Sequence, residues 1–218
     1  MALNGGAPPS RRALLGGAVA AAATTLPLPA RSNDESLTLD DLPPKAKQAY
    51  LQYLPQFQLD ADYFAFELVP LLDQPGRWDN IFKITESTNI GSAASVSRLE
   101  REFITPMRQV ALAFPPDMYG DEMIESIDNF QKSMYRFSQL ARKNAMTGNT
   151  AGPTPAEVKE VGSAFDASRL ALNSFFAAVN SGVGATRLVS VPPATKALAL
   201  KGEDPDTYTR ACSSRPRG

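Results

Sequence analysis

Residues 154–183 read TPAEVKEVGSAFDASRLALNSFFAAVNSGV, and this stretch decides the fold class. Thr154 is a favourable N-cap, Pro155 suits the first helical position, and Glu157 completes a capping box. Apolar side chains then recur every three or four residues, which places them on one face of an α-helix. They are Val158, Val161, Phe165, Leu172, Phe175 and Val179, with Ser168 in the same register. The stretch therefore predicts one long amphipathic helix that ends at Gly182 and Gly184.

Three further apolar stripes with helical spacing precede this helix. Their members are Ala46, Tyr50, Leu54, Phe57, Ala61, Phe64, Leu68 and Leu71; Val96, Leu99, Phe103, Met107, Val110 and Phe114; and Met123, Ile127, Phe130, Met134, Phe137 and Ala141. Prolines inside the first two stripes predict a kink at Pro55 and a bend at Pro106. Ser92 or Ser95 is the expected cap of the second helix. Because no strand-like alternation competes, the pattern predicts an all-α, up-down four-helix bundle.

The segments between and around the stripes complete the predicted organisation. The first connection, residues 74–92, is long and contains Trp78–Ile84, which predicts a short extra helix. We expect a flexible linker at 31–42, the bundle at 43–184, and an extended, mobile C-terminal tail at 185–218. The alternative for the first part of this tail, to about residue 200, is an ordered return across the bundle.

The first 30 residues have the pattern of a twin-arginine targeting signal. Arg11 and Arg12 precede an uncharged Ala- and Gly-rich stretch that ends in a Pro-containing region near Ala30. We expect this signal to be cleaved after export of the folded protein, into a thylakoid lumen or a bacterial periplasm. A retained anchor is the alternative.

The composition argues against an enzyme. The 218 residues include no histidine and a single cysteine, Cys212. Without histidine a Ser-His-Asp triad and histidine metal ligands are excluded, and one cysteine cannot form an internal disulfide or a thiolate cage. The net charge of −1 gives no chain-wide attraction to nucleic acid. We therefore expect a non-enzymatic protein with no cofactor, no metal and no nucleic-acid partner.

Aromatic and basic residues outside the predicted stripes are the candidate partner contacts. They are Tyr53, Tyr63, Phe66, Arg77, Trp78, Phe82, Lys201, Tyr208 and Arg210. For Trp78 and Phe82 the favoured alternative is that they cap the end of the core. For Arg77 the favoured alternative is simple solvation, for the basic tail it is a plain disordered end, and for Glu67 we expect an ion pair with a nearby arginine.

Two segments of the first helix region carry a resemblance to a known family. Residues 50–68, YLQYLPQFQLDADYFAFEL, and residues 71–79, LLDQPGRWD, resemble the PsbQ-like lumenal proteins of oxygenic photosynthesis. Within that family they are similar to the lumen proteins that maintain photosystem II under high light. The resemblance is firm only in the first third of residues 43–180.

The resemblance implies a peripheral protein of the chloroplast thylakoid lumen. Its partners would be photosystem II core subunits, and its role the assembly, repair or oxygen-evolving stability of that complex. Related bundles imply two alternatives, photosystem I and the chloroplast NADH-dehydrogenase-like complex. Ten residues precede Arg11, fewer than a plastid transit peptide needs. We therefore expect either a true N-terminus upstream of Met1, or a protein that is bacterial or otherwise targeted. A bacterial periplasmic, ligand-binding bundle is a further alternative.

Overall fold

The computed structural model describes residues 38–87, 96–145 and 152–195, and their regular structure is entirely helical. This confirms the predicted all-α class for the described part of the chain. The α-helices are α1 Pro44–Asp62, α2 Val69–Leu72, α3 Asp79–Phe82, α4 Thr105–Ala111, α5 Gly120–Ala145 and α6 Pro155–Val183. Short 3₁₀ turns lie at Pro75–Arg77 and Pro116–Met118, and π-helical segments at Tyr63–Leu68 and Glu100–Ile104.

Helices α5 and α6 match their predicted patterns closely. The buried faces contain every apolar residue predicted for the third stripe, and Val161 through Val179 of the fourth, although Val158 is only partly buried. The Thr154 hydroxyl accepts from the Glu157 amide at 3.3 Å, and the Thr154 amide donates to Glu157 Oε2 at 2.7 Å. Gly184 ends α6 in the left-handed conformation, with φ 67°. The capping box and the C-terminal glycine therefore act as predicted.

Gly182 has a different role from the predicted helix stop. It lies inside α6, where an added Cβ would approach the Met118 carbonyl oxygen to 2.9 Å and the Phe114 ring to 3.0 Å. The absence of a side chain therefore allows the connection before α5 to pack directly on the end of α6.

The first two helical stretches are interrupted by π segments, each of which ends just before a proline. The Val69 amide donates to Phe64 and the Thr105 amide donates to Glu100, both five residues back. Pro70 and Pro106 follow at once. A proline lacks the amide and its ring clashes with the carbonyl four residues earlier, so a wider turn accommodates it. The chain continues as α1 through Pro55, and the irregularity lies at Tyr63–Leu68 instead.

A cluster of phenylalanine rings joins these irregular segments to the long helices. Phe64 is fully buried and its ring centroid lies 6.2 Å from that of Phe103, 5.9 Å from Phe130 and 5.8 Å from Phe165. Each of the four longest helical stretches therefore contributes a ring to one core.

The segments at the edges of the fold make defined contacts. In residues 38–42, assigned to the flexible linker, Thr38 donates to Asp41 and Leu42 is buried. Residues 185–193 have no regular secondary structure, and Asn173 and Asn180 donate hydrogen bonds to the backbone of Val191 and Leu188, whose side chains are buried. These contacts attach the segment to α6. The predicted signal, Ser92, Ser95 and residues 196–218 lie outside the described residues.

Helix α3 confirms the short helix predicted in the first connection. Within the described ranges, none of the helices combines the length and the apolar character that crossing a bilayer requires.

Candidate functional site

An open groove of about 600 Å³ lies where the first π segment, the connection after α2 and the start of the second helical stretch meet. We call it the cationic groove. Its lining residues are Tyr63, Phe66, Glu67, Pro70, Leu71, Arg77, Asn80, Lys83, Ile84 and Arg98. Three of them are cations and one is an anion, so the lining carries an excess of positive charge.

Local sequence explains how the groove walls are held. Pro75 begins a 3₁₀ turn that positions Arg77, whose Nη1 donates to Gln74 Oε1 at 3.0 Å. One turn of α3 then places Lys83 against Asp79, and their ion pair lowers the pKa of the Asp79 carboxyl. Arg77 and Lys83 are both exposed. These two cations therefore form a rim that is open to a ligand.

Arg98 forms the opposite wall and is already engaged. Its Nε donates to Glu102 Oε2 at 2.5 Å, and its guanidinium carbon lies 4.4 Å from the centroid of the Tyr63 ring. Burial acts to raise the pKa of Glu102, but hydrogen bonds from Arg101 and Arg98 outweigh it and the pKa is lowered. The charged neighbours of the lining residues are Asp79, Glu102 and Arg101. When they are counted together with the lining, the net charge around the groove is +1. The groove is therefore mixed in charge, with its open cations on one rim.

Three of the predicted contact residues come together in this groove. Phe66 is partly buried, Arg77 is exposed, and Tyr63 forms part of the floor. The ring of Tyr63 also packs against Phe103 with centroids 5.9 Å apart, and burial raises the pKa of its hydroxyl to about 12. Tyr63 is only 8% exposed, which corrects its assignment as an outward-facing contact.

Trp78 is a clear correction to the predicted set. Its side chain is 0% exposed, and its indole Nε1 donates to the Leu71 carbonyl at 2.9 Å. A ring with no accessible surface cannot contact a partner in this conformation. The alternative considered for Trp78, a role in closing the core, is therefore the one that the structure supports.

The remaining predicted contacts lie elsewhere. Tyr53 packs partly against the core beside Phe57, at a centroid distance of 6.5 Å. Phe82 is partly buried under the guanidinium of Arg142, at 5.7 Å. Neither residue lines the groove. Lys201, Tyr208 and Arg210 lie outside the described residues.

Sequence reasoning missed Lys83 and Arg98. The i,i+4 spacing of Arg98 and Glu102 predicts a helical ion pair, but not its position over Tyr63, which depends on how two distant segments pack. Burial acts to lower the pKa of the Arg98 guanidinium, but its hydrogen bond to Glu102 and the nearby acidic groups together outweigh burial and the pKa is raised. Among the described residues Arg98 pairs with Glu102, and the ion pair expected for Glu67 is not found.

One buried polar group lies three residues before Tyr63, which lines the groove. Asp60 is 2% exposed; its Oδ1 accepts from Gln56 Nε2 at 3.0 Å, and its Oδ2 has no hydrogen-bond partner. Burial raises the pKa of its carboxyl well above the ordinary value; Glu102 adds to this rise and Arg98 opposes it. Asp60 is therefore protonated over a much wider pH range than a surface aspartate.

Two further surface depressions lie between α5 and α6. One, of about 430 Å³, includes Arg136 and Lys159; the other, of about 470 Å³, includes Tyr119, Glu122 and Glu125. Neither contains any of the predicted contact residues. Among residues 38–87, 96–145 and 152–195, no cluster of acidic or thiol side chains has the arrangement of a metal site.

No protein-family model, no curated protein and no solved structure matches this chain.

Proposed function

We propose that this chain is a non-enzymatic contact protein of the chloroplast thylakoid lumen, peripheral to the membrane. It docks on the lumenal side of photosystem II and supports the assembly, repair or oxygen-evolving stability of that complex. The observation that carries the proposal is a coincidence of position. Residues 50–68 and 71–79, which resemble the PsbQ-like family, also supply Tyr63, Phe66 and Arg77 to the cationic groove.

The architecture that we propose is an up-down four-helix bundle. Its helices are the stretch from α1 through α2, the stretch through the second π segment and α4, and then α5 and α6. The packing of α5 on α6, of α4 on α5 and of α1 on α4 supports this arrangement.

The groove fits a contact role better than a catalytic one. Its open cations, Arg77 and Lys83, stand beside a partly apolar floor that includes Phe66 and Pro70. Such a surface can bury an apolar side chain of a partner while its rim attracts carboxylates. Rim charges mainly set the rate and the salt dependence of association.

Co-sedimentation with photosystem II-enriched membranes tests the proposal. We expect the wild-type chain to bind at low ionic strength and to be released in 1 M salt, where the Debye length is about 3 Å. The double variant Arg77→Glu with Lys83→Glu should not bind. The matched control is Arg136→Glu with Lys159→Glu, which reverses the same two residue types beside α6 and should bind normally.

Two results would contradict this function. One is a wild-type chain that stays in the supernatant at low salt; the other is a groove variant that binds as well as the control. Binding to photosystem I or NADH-dehydrogenase-like particles instead would favour those alternatives. A stoichiometric small ligand in native mass spectrometry would favour a periplasmic ligand-binding bundle.

A further inference from the structure

Asp60 is the most unusual buried group among the described residues. It lies in the last turn of α1, directly before the first π segment, and one of its carboxyl oxygens is buried with no partner. A buried polar atom without a partner is costly, and an ionised one is far more so. Such a group needs an explanation beyond packing.

The charges that act on Asp60 come from the start of the second helical stretch. Glu102 disfavours an ionised Asp60, and Arg98 favours it. Arg108, the charged residue of α4, is turned away, since it donates to Gln131 at 3.0 Å and to Glu100 at 3.4 Å. On α1 the hydrogen-bonding neighbour is the neutral Gln56. Asp60 and Tyr63 are three residues apart and share a helix face, and the Arg98 guanidinium carbon lies 4.4 Å from the centroid of the Tyr63 ring. Arg98 is therefore a cation placed to answer a negative charge on Asp60.

Arg98 cannot satisfy Asp60 and keep its present contacts. Its guanidinium stacks on Tyr63 and pairs with Glu102, and both contacts hold it in the groove wall. A charge on Asp60 would compete with Glu102 for this one cation. The two arrangements of Arg98 are thus alternatives, and the proton on Asp60 selects between them.

The local backbone favours such a rearrangement. Asp60 lies shortly before one π segment, Arg98 lies two residues before the other, and Glu102 lies in the middle of that second segment. π-Helical turns have a wider hydrogen-bond pattern than α-helices and occur frequently at functional sites. The packing of Tyr63 against Phe103 joins the two π segments directly.

We propose that Asp60 is a proton switch for the cationic groove. Neutral Asp60 leaves Arg98 on Tyr63 and Glu102, as part of the groove wall. Ionised Asp60 draws Arg98 inward and removes it from that wall. The inference rests on the proposed function only in giving the groove a partner, because the switch itself is a property of the isolated chain.

NMR titration of the full chain, without membranes, tests the switch. The observables are the Asp60 carboxyl carbon, the Arg98 Nε–H and the Tyr63 ring, followed from about pH 4 to pH 9. We expect the Asp60 midpoint to lie well above 3.8. Arg98 and Tyr63 should shift with the same midpoint, and in Asp60→Asn both should lose this transition.

A second pair of variants distinguishes a switch from a merely structural Asp60. Glu102→Gln removes the competing carboxylate, so the Asp60 midpoint should fall because Arg98 is freed to pair with it. Glu100→Gln is the matched control; Glu100 pairs with Arg108 at 3.4 Å, and its loss should leave the Asp60 midpoint unchanged.

The proposal is overturned if Asp60 titrates near 3.8, or if Arg98 and Tyr63 do not follow its midpoint. It is also overturned if their transition persists in Asp60→Asn. Membrane binding plays no part in these measurements, so the switch can fail while docking through Arg77 and Lys83 holds. The opposite result can also be observed: a chain whose Asp60 titrates as expected but which does not bind membranes. In that case the switch holds and the proposed docking fails.

Discussion

The part of the chain before Pro115 and the part after it solve the same packing problem differently. Helices α5 and α6 are long and uninterrupted, and α6 has a complete capping box and a left-handed glycine at its end. The earlier part is broken by Pro70 and Pro106 into α and π turns. It also contains buried oxygens of Tyr50 and Asp60 that lack hydrogen-bond partners.

We infer that the two parts of the chain have different roles, one in stability and the other in partner contact. The α5–α6 pair supplies the regular core, while the irregular part forms the cationic groove and holds Asp60 beside it. Departures from ideal local structure are expected to concentrate at functional sites. The predictions below test this division, beginning with the residue that joins both parts.

Phe64→Ala should have the largest effect. Its buried ring contacts rings from the second π segment, α5 and α6, so truncation should lower the free energy of unfolding by about 3–5 kcal/mol. Leu170→Ala is the control; Leu170 is 56% exposed on α6, and its loss should change stability by less than about 0.5 kcal/mol. Urea denaturation measures both, and similar losses would contradict the shared core.

Asp60→Asn should stabilise the chain at neutral pH. The folded-state pKa of Asp60 is raised, so wild-type stability falls as pH rises from 3.8, the ordinary pKa of an aspartate in an unfolded chain, to the folded-state pKa. The loss is about 1.4 kcal/mol for each unit by which the pKa is raised. Wild type and variant should therefore be alike at acid pH and diverge as pH rises, as thermal melts will show; parallel curves would be the contrary result.

Thr154→Ala should destabilise the regular part by about 1 kcal/mol, because it removes the capping hydroxyl of α6. Thr154→Ser keeps a hydroxyl at the cap and should retain most of the stability. Chemical denaturation measures the free energy of unfolding of both variants. If both lose the same amount, the Thr154 hydroxyl does not stabilise α6.

Lys83→Gln should have the smallest effect on folding. Its ion pair with Asp79 is exposed, and such pairs contribute about 0–1 kcal/mol. A melting temperature close to that of wild type is expected, together with weaker membrane binding. A large fall in melting temperature would mean that the groove rim is part of the core.

The same division explains what the sequence could predict. The stripes of α5 and α6, and the Thr154 cap, were readable because they depend on local spacing and local hydrogen bonds. Pro106 indicated an irregular second helix, but not the π geometry that accommodates this proline, and the π segment before Pro70 was not predicted. The position of Arg98 over Tyr63 and the burial of Trp78 depend on contacts between distant segments, which periodicity does not encode. Phe66 and Arg77 were identified because neither belongs to the first apolar stripe. Phe66 lies between two members of that stripe, and Arg77 lies just beyond its end.

Hydrogen exchange on the membrane-bound chain tests the central claim most directly. With photosystem II-enriched membranes, we expect added protection of backbone amides at residues 63–84 and 98–104, which surround the cationic groove. Amides of α5 and α6 should exchange as in the free chain. Protection concentrated on α5 and α6, in a chain shown to be bound, would contradict the assignment of the irregular part as the contact site.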